Sequence, residues 1–323
     1  QLDEIHQAGD GTPSDSIFGI PVLLKDNIGV EGMATTAGAV ALQENYTDNA
    51  FIAERLLEKG AIIIGKANLS EWAYFFCNDC PSGYSAMGGQ TLNPYGRFEF
   101  GTGGSSAGSG ASTAANYATV AVGSETSGSI LSPASANSLV GLKPTTGSLS
   151  RTGVVPISAS LDTAGPMTRS IADVVVLFNS MAGYDQDDLA MPLISDDMQL
   201  IYRETSLAGK RLGVIDRYAD NAFYNNALSV LSANNAELID LSFNPSRQPQ
   251  FTEFLGAEMV RDLALYLSKS AAERVEILSI TELQAFNNVE LEVRAPYGQG
   301  LIDMMAELNY NETELEELRA ELQ

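Results

Sequence analysis

Three residues of this chain are of the type and in the setting to carry nucleophilic chemistry without an imidazole. Lys25 closes the apolar run Gly19-Ile20-Pro21-Val22-Leu23-Leu24-Lys25. Ser105 lies in Gly103-Gly104-Ser105-Ser106-Ala107-Gly108-Ser109-Gly110, and Ser129 closes Gly123-Ser124-Glu125-Thr126-Ser127-Gly128-Ser129. The single histidine, His6, sits in a polar amino-terminal stretch far from these motifs in sequence. A lysine at its reference pKa of about 10.4 is a cation and accepts no proton, so a lysine that acts as base must be desolvated until it is neutral. The apolar residues before Lys25 suggest a buried strand end that would do this. Alone, the segment reads as a strand-end lysine snorkelling to solvent; beside the two serine turns the buried reading is preferred. Gly104 to Gly108 also matches the G-x-S-x-G nucleophile elbow with Ser106 as nucleophile, but that chemistry needs a histidine after the serine, and none follows residue 6.

The elements that must position these residues alternate between strand and helix. Ile20 to Leu24 is a short apolar run. Asn49 to Lys59 sets Ala50, Ala53, Leu56 and Leu57 on one helical face, stops at Gly60 and leads into the strand-like Ala61 to Ile64. The Gly-rich turn at 101–110 runs into the small-residue segment Ala111 to Ala118, and the strand-like Thr119 to Val122 leads into the second turn. Ser170-Ile-Ala-Asp173 is a capping-box start for a helix through Met181, with Gly183 just beyond it. Residues 211–216, 221–234 and 236–241 form a strand–helix–strand set, and 252–268, 281–294 and 312–322 read as helical. The expectation is one α/β architecture over residues 1–323, with no internal repeat or low-complexity linker.

The ordered set of motifs resembles the amidase signature family. Besides the Lys25 segment and the two serine turns, matching blocks are Thr35-Thr36-Ala37-Gly38, Gly65 to Trp72, Gly88-Gly89-Gln90, Asn93-Pro94-Tyr95, Val140 to Thr145 and Asp162 to Met167. The resemblance is strong over about 17–188 and continues weakly to 285–287 and 297–299. It implies a central mixed, twisted β-sheet covered by helices on both faces. It also implies a longer domain, whose carboxy-terminal part lies beyond this chain. By resemblance, Ser129 is the nucleophile, Ser105 follows a cis peptide and relays a proton, and Lys25 is the base. A turn of small residues directs several N–H groups one way, so the amides of Thr126, Ser127, Gly128 and Ser129 are candidates for an oxyanion hole. Family members commonly carry a second glycine where Ser127 stands. Lys66 and Lys143 are read as structural.

The reaction implied is hydrolysis of a small or peptidic amide through an acyl-enzyme, with no cofactor and no metal. Two alternatives stay open: the glutamine-hydrolysing subunit of a glutamyl-tRNA amidotransferase, and a non-catalytic homologue. Leu69 to Phe75 and Ser82 to Ala86 look more like the peptide-amidase branch. Trp72 and Tyr84, with Tyr74, Phe75 and Phe76, are candidate pocket walls, although aromatics at this density are commonly core.

Composition bounds the partners. With 18 Lys+Arg against 41 Asp+Glu the net charge is −23, which repels phosphate backbones and anionic lipid and argues against nucleic-acid or membrane-surface binding. The longest apolar run, Val174 to Phe178, is too short to span a bilayer. One His and two Cys build no His-rich or paired-Cys metal site. Cys77-Asn78-Asp79-Cys80 lacks a thioredoxin-like βαβ setting and reads as two ordinary thiols or an incidental disulfide. Sequons at Asn45, Asn68 and Asn311 carry little weight without evidence of secretion. A cytoplasmic location is expected, with an exported form left open because the chain starts at Gln1. Oligomeric state is not legible.

Overall fold

The computed structural model describes residues 16–191, 198–203, 205–242 and 250–322. Its strands are β1 (Pro21–Lys25), β2 (Ile62–Ala67), β3 (Tyr84–Ser85), β4 (Gly89–Gln90), β5 (Val120–Glu125), β6 (Val140–Gly141), β7 (Thr163–Thr168), β8 (Arg211–Ile215) and β9 (Glu237–Leu241). Two compact units emerge, residues 1–200 with 252–323, and residues 201–251.

The first unit is built on a mixed five-stranded sheet in the order β2-β1-β5-β7-β6. β1 lies between parallel partners, with Val22 opposite both Ile63 of β2 and Val120 of β5, while β7 runs antiparallel to β5 and β6. Parallel strands need a crossover, and the helix Phe51–Glu58 supplies it between β1 and β2. Its Ile52, Ala53 and Leu56 pack with Leu177, Phe178 and Met181 of the helix Ile171–Met181 onto Val22, Leu24, Val120 and Val122. Burying each such aliphatic side chain stabilises the fold by about 1.5–3 kcal/mol. The expected cap of the second helix is present: Ser170 Oγ accepts from the Asp173 amide at 3.2 Å.

The helix Ala107–Ala114 packs on β1, β2 and β5. Local sequence rules place residues 107–110 in a turn, yet they open the helix. The reason is close approach rather than propensity. The Gly108 amide donates to Asn68 O at 2.8 Å, and a Cβ at Gly108 would sit 2.6 Å from the Asn68 nitrogen. Ser109 Oγ donates to Val122 O at 3.1 Å. The stretch 281–294, expected as one helix, is two, Ile280–Val289 and Leu291–Arg294, broken at Glu290 (φ −142°, ψ 57°). The helices Phe251–Lys269 and Glu312–Glu321 match expectation.

The second unit is a parallel pair, β8 with β9 in register from Arg211 opposite Glu237 to Ile215 opposite Leu241, joined by the helix Ala222–Ala233. Asn221 caps that helix by accepting from the Tyr224 amide. No helix among the described residues is long and apolar enough to cross a membrane.

Candidate active site

Lys25 ends β1, at the carboxyl edge it shares with its parallel neighbours β2 and β5, the edge where ligands gather in open α/β sheets. Its side chain is wholly buried, with Nζ 2.7 Å from Ser105 Oγ, 2.9 Å from Ser124 Oγ and 3.0 Å from Ser124 O. Burial lowers its pKa from 10.5 to about 7, against the opposing pull of the Asp162 and Glu125 carboxylates. Near neutrality the amine is therefore poised between its two forms. Asn27 orients this contact by donating from Nδ2 to Ser124 Oγ at 3.0 Å.

The peptide bond Gly104–Ser105 is cis. The turn it belongs to is stitched to its surroundings. Ser105 O accepts from the Ser70 amide at 3.0 Å, and the Ser106 amide donates to Ser129 O at 3.1 Å. Ser106 Oγ donates to Ser124 O at 3.1 Å and accepts from the Ser124 amide at 3.2 Å. Ser106 is fully buried and commits its hydroxyl to the β5 backbone, so it serves as a strut, which disfavours the nucleophile-elbow reading. Gly123 makes this possible, since a Cβ there would lie 2.8 Å from both Ser106 Oγ and Met167 Sδ.

Beyond β5 the chain turns sharply at Gly128, whose φ of +89° suits glycine. Ser129 follows at 8% exposure, the most accessible of the three predicted groups, since Lys25 and Ser105 are at 0%. Among the described residues the amides of Ser127, Gly128 and Ser129 donate to no protein acceptor. The next two, Ile130 and Leu131, donate to Glu125 Oε2 at 2.6 and 2.9 Å. The turn is pinned by Thr126 Oγ1, which donates to Asp162 Oδ1 at 2.5 Å. Asp162 Oδ2 in turn accepts from the Ile157 and Ser158 amides at 2.8 and 2.9 Å. Burial pushes Asp162 up to about 6, opposed by these hydrogen bonds and by Arg151.

Lys25, Ser105 and the Thr126–Ser129 turn are thus brought to one place, while His6 lies outside the described residues. Sequence reasoning does not find Asn27, Ser124, Glu125 and Asp162 as supports, although each stands inside or beside a quoted motif. The signal that could have found them is a polar residue within an otherwise buried block.

The aromatic candidates are dispersed. Trp72 is 2% exposed, within a run of left-handed backbone (Trp72, Ala73 and Tyr74 at φ 50°, 53° and 72°), and its Nε1 meets no acceptor among the described residues. Phe75 and Phe76 are buried, and Tyr74 donates from its hydroxyl to Cys80 O at 3.0 Å. Ala73 shares with Asn27, Ser124, Thr126 and Asp162 the wall of a cavity of about 10 Å³, room for about one water. Tyr84 is half-buried and meets Tyr297 edge to face at 4.8 Å between ring centres. Between them in sequence, Cys77 and Cys80 are disulfide-bonded. Sequence reasoning also misses Glu71, a buried carboxyl raised to about 8 by desolvation, which accepts from the Ala86 amide at 2.8 Å.

Lys66 pairs with Asp26 at 3.1 Å and donates to Thr35 Oγ1 at 3.0 Å; Lys143 donates to Pro144 O at 2.9 Å. Asn45 donates to Thr35 O, Asn68 to Gly89 O, and Asn311 caps a helix, so each sequon asparagine has a structural partner. Among the described residues no group of three or more His, Cys, Asp or Glu is arranged to hold a metal.

A mixed α/β sheet thus carries a buried lysine–serine contact and, after β5, a turn whose amides of Ser127, Gly128 and Ser129 lack a protein acceptor among the described residues. In comparison with known proteins, the chain belongs to the Amidase family, whose profile matches residues 1–320. A probable amidase of Arabidopsis thaliana is 44% identical over 63% of this chain and 41% of its own length. The structure of peptide amidase from Stenotrophomonas maltophilia superposes with a TM-score of 0.87 at 36% identity, over 99% of this chain and 67% of that one. The A subunit of glutamyl-tRNA(Gln) amidotransferase from Thermotoga maritima gives 0.67 at 25% identity, over 94% and 65%. The chain spans between 38% and 55% of the length of the curated relatives it matches.

Proposed function

We propose that this protein hydrolyses the C–N bond of a small or peptidic amide through an acyl-enzyme on Ser129. The observation that carries the reading is the fully buried Lys25 amine, 2.7 Å from Ser105 Oγ and brought to a pKa of about 7 by desolvation. Neutral Lys25 takes the Ser105 hydroxyl proton as Ser105 takes that of Ser129. Ser129 Oγ then bonds to the carbonyl carbon, and the carbonyl electron pair moves onto oxygen. The amides of residues 126–129 receive that oxyanion; one such donor contributes about 2.7–4 kcal/mol in enzymes where it has been removed. Collapse breaks the C–N bond, and the amine departs with the proton returned from Lys25 through Ser105. Water repeats the sequence on the ester and regenerates Ser129. No proton step needs a histidine.

The greater likeness to a peptide amidase than to the amidotransferase subunit supports an enzyme that acts alone on peptide or simple amides. Tyr84, half-buried against Tyr297, is the proposed apolar wall of its site, whereas Trp72 is buried in the interior. The test offers peptide amides, aryl amides and free glutamine, with and without amidotransferase partner subunits. Ammonia or amine released from simple amides by the protein alone supports the hydrolase. Release from glutamine that appears only with partners moves the assignment to the amidotransferase subunit.

A further inference from the structure

Two buried carboxylates outside the Lys25–Ser105–Ser129 group hold the loop that carries Asp162. Glu258 and Asp262 stand one turn apart on the helix Phe251–Lys269, at 0% and 8% exposure. Glu258 Oε2 accepts from Ser158 Oγ and from the Ser160 amide at 3.4 Å; its Oε1 accepts from Ser160 Oγ at 2.6 Å. Asp262 Oδ2 accepts from the Ala159 amide at 2.6 Å. Three successive residues are therefore fixed by one helix face. Arg319 and Arg261 donate to Glu258 Oε1 at 2.7 and 3.3 Å, and Arg261 Nε donates to Asp262 Oδ1 at 2.6 Å. Burial would raise the Glu258 pKa, but the hydrogen bonds from Ser158, Ser160 and Arg319 outweigh it and hold the group below its usual value.

The other side of the same loop wraps Asp162, which accepts from the Ile157 and Ser158 amides and from Thr126 Oγ1. Thr126 immediately precedes the free amides of residues 127–129. An unbroken series of hydrogen bonds thus joins the helix to the nucleophile turn. Two carboxylates buried together carry a desolvation cost that apolar packing would not, so their burial is weak evidence for a purely stabilising role.

We propose that Glu258, assisted by Asp262, is a positioning residue for the active site: it sets the loop 157–162 so that Asp162 holds Thr126 and the following amides where the oxyanion forms. This rests on the acyl-transfer reading above. A misplacement of about 1 Å at such a site can cost about 100-fold in rate.

The test is Glu258→Gln, read by steady-state kinetics and by hydrogen exchange of residues 126–131. The expected result is a fall in kcat of about tenfold or more with KM within about threefold, and faster exchange at 126–131 while 51–58 stays protected. In a Thr126→Val background the same substitution should add little further loss, since both act on one series of contacts. Unchanged kcat and exchange, or losses that multiply independently in the double variant, would overturn the proposal. Should Glu258→Gln not fold, the double variant Ser158→Ala/Ser160→Ala removes the same contacts from the loop side and is held to the same outcomes. Exchange separates the two claims. If it responds while the parent cleaves no amide, the acyl-transfer reading fails and the mechanical linkage stands. If the parent cleaves amides and neither readout moves, the linkage fails alone.

Discussion

The Lys25 ammonium is a costly charge to place, because its side chain is wholly buried. Its folded pKa of about 7 lies below the ordinary 10.5, so between these values the unfolded chain holds a proton that the folded chain has given up. Stability therefore rises with pH from about 7 to 10.5, and the whole penalty, on the order of 5 kcal/mol, is present below that window. Lys25→Met, similar in length and uncharged, should be more stable than the parent at pH 6, with the advantage shrinking toward pH 10. Urea unfolding at the two pH values measures this; an advantage independent of pH would show that Lys25 is not desolvated. The same group sets activity, so kcat/KM should rise through about pH 7 as Lys25 loses its proton, and His6→Ala should leave that limb in place. A limb that disappears in His6→Ala would contradict the histidine-independent relay. That Lys25 would be buried beside the Ser105 turn was legible in the sequence, from the apolar run before Lys25 and from the family resemblance of the two glycine-rich turns. The supports were not, because Ser124 and Asn27 look like any polar residue until the fold shows Ser124 gripping Lys25 and Asn27 holding Ser124.

Strands and helices with clear periodicity were readable at the element scale. The Phe51–Glu58 crossover, its stop at Gly60 and the Ser170 cap follow from local rules. What local rules could not give was the start of the helix Ala107–Ala114 inside the glycine run, because glycine there answers to the approach of Asn68. Gly123 belongs to the same class. Gly123→Ala would drive a methyl into Ser106 Oγ and Met167 Sδ, each 2.8 Å from the new atom, and should cost about 1–3 kcal/mol. Because the strain falls where the Ser105 turn meets β5, amidase activity should drop with it. Calorimetry and turnover check the two halves, and a Gly123→Ala variant as stable and active as the parent would refute the close packing. Ser106→Ala should destabilise by about 1–3 kcal/mol, since the buried Ser124 amide and carbonyl lose a partner, while catalysis survives.

For the molecule as a whole, the α/β class and the mixed sheet followed from alternation and family resemblance, and the structure shows them as β2-β1-β5-β7-β6. The setting of the aromatic candidates was least legible, since a sequence does not say which of Trp72, Phe75 and Phe76 turn inward. All three are buried, whereas Tyr84 is half-exposed against Tyr297, which is distant in sequence. The account as a whole stands on one serine acting as nucleophile in a chain that has other buried serines beside it. The direct measurement is covalent labelling by a serine-directed fluorophosphonate, followed by peptide mass mapping, on the parent and on Ser129→Ala, Ser105→Ala and Ser106→Ala. The account predicts a single adduct on Ser129, absent from Ser129→Ala, strongly slowed in Ser105→Ala and retained in Ser106→Ala. An adduct on Ser106, or labelling that persists in Ser129→Ala, would contradict it.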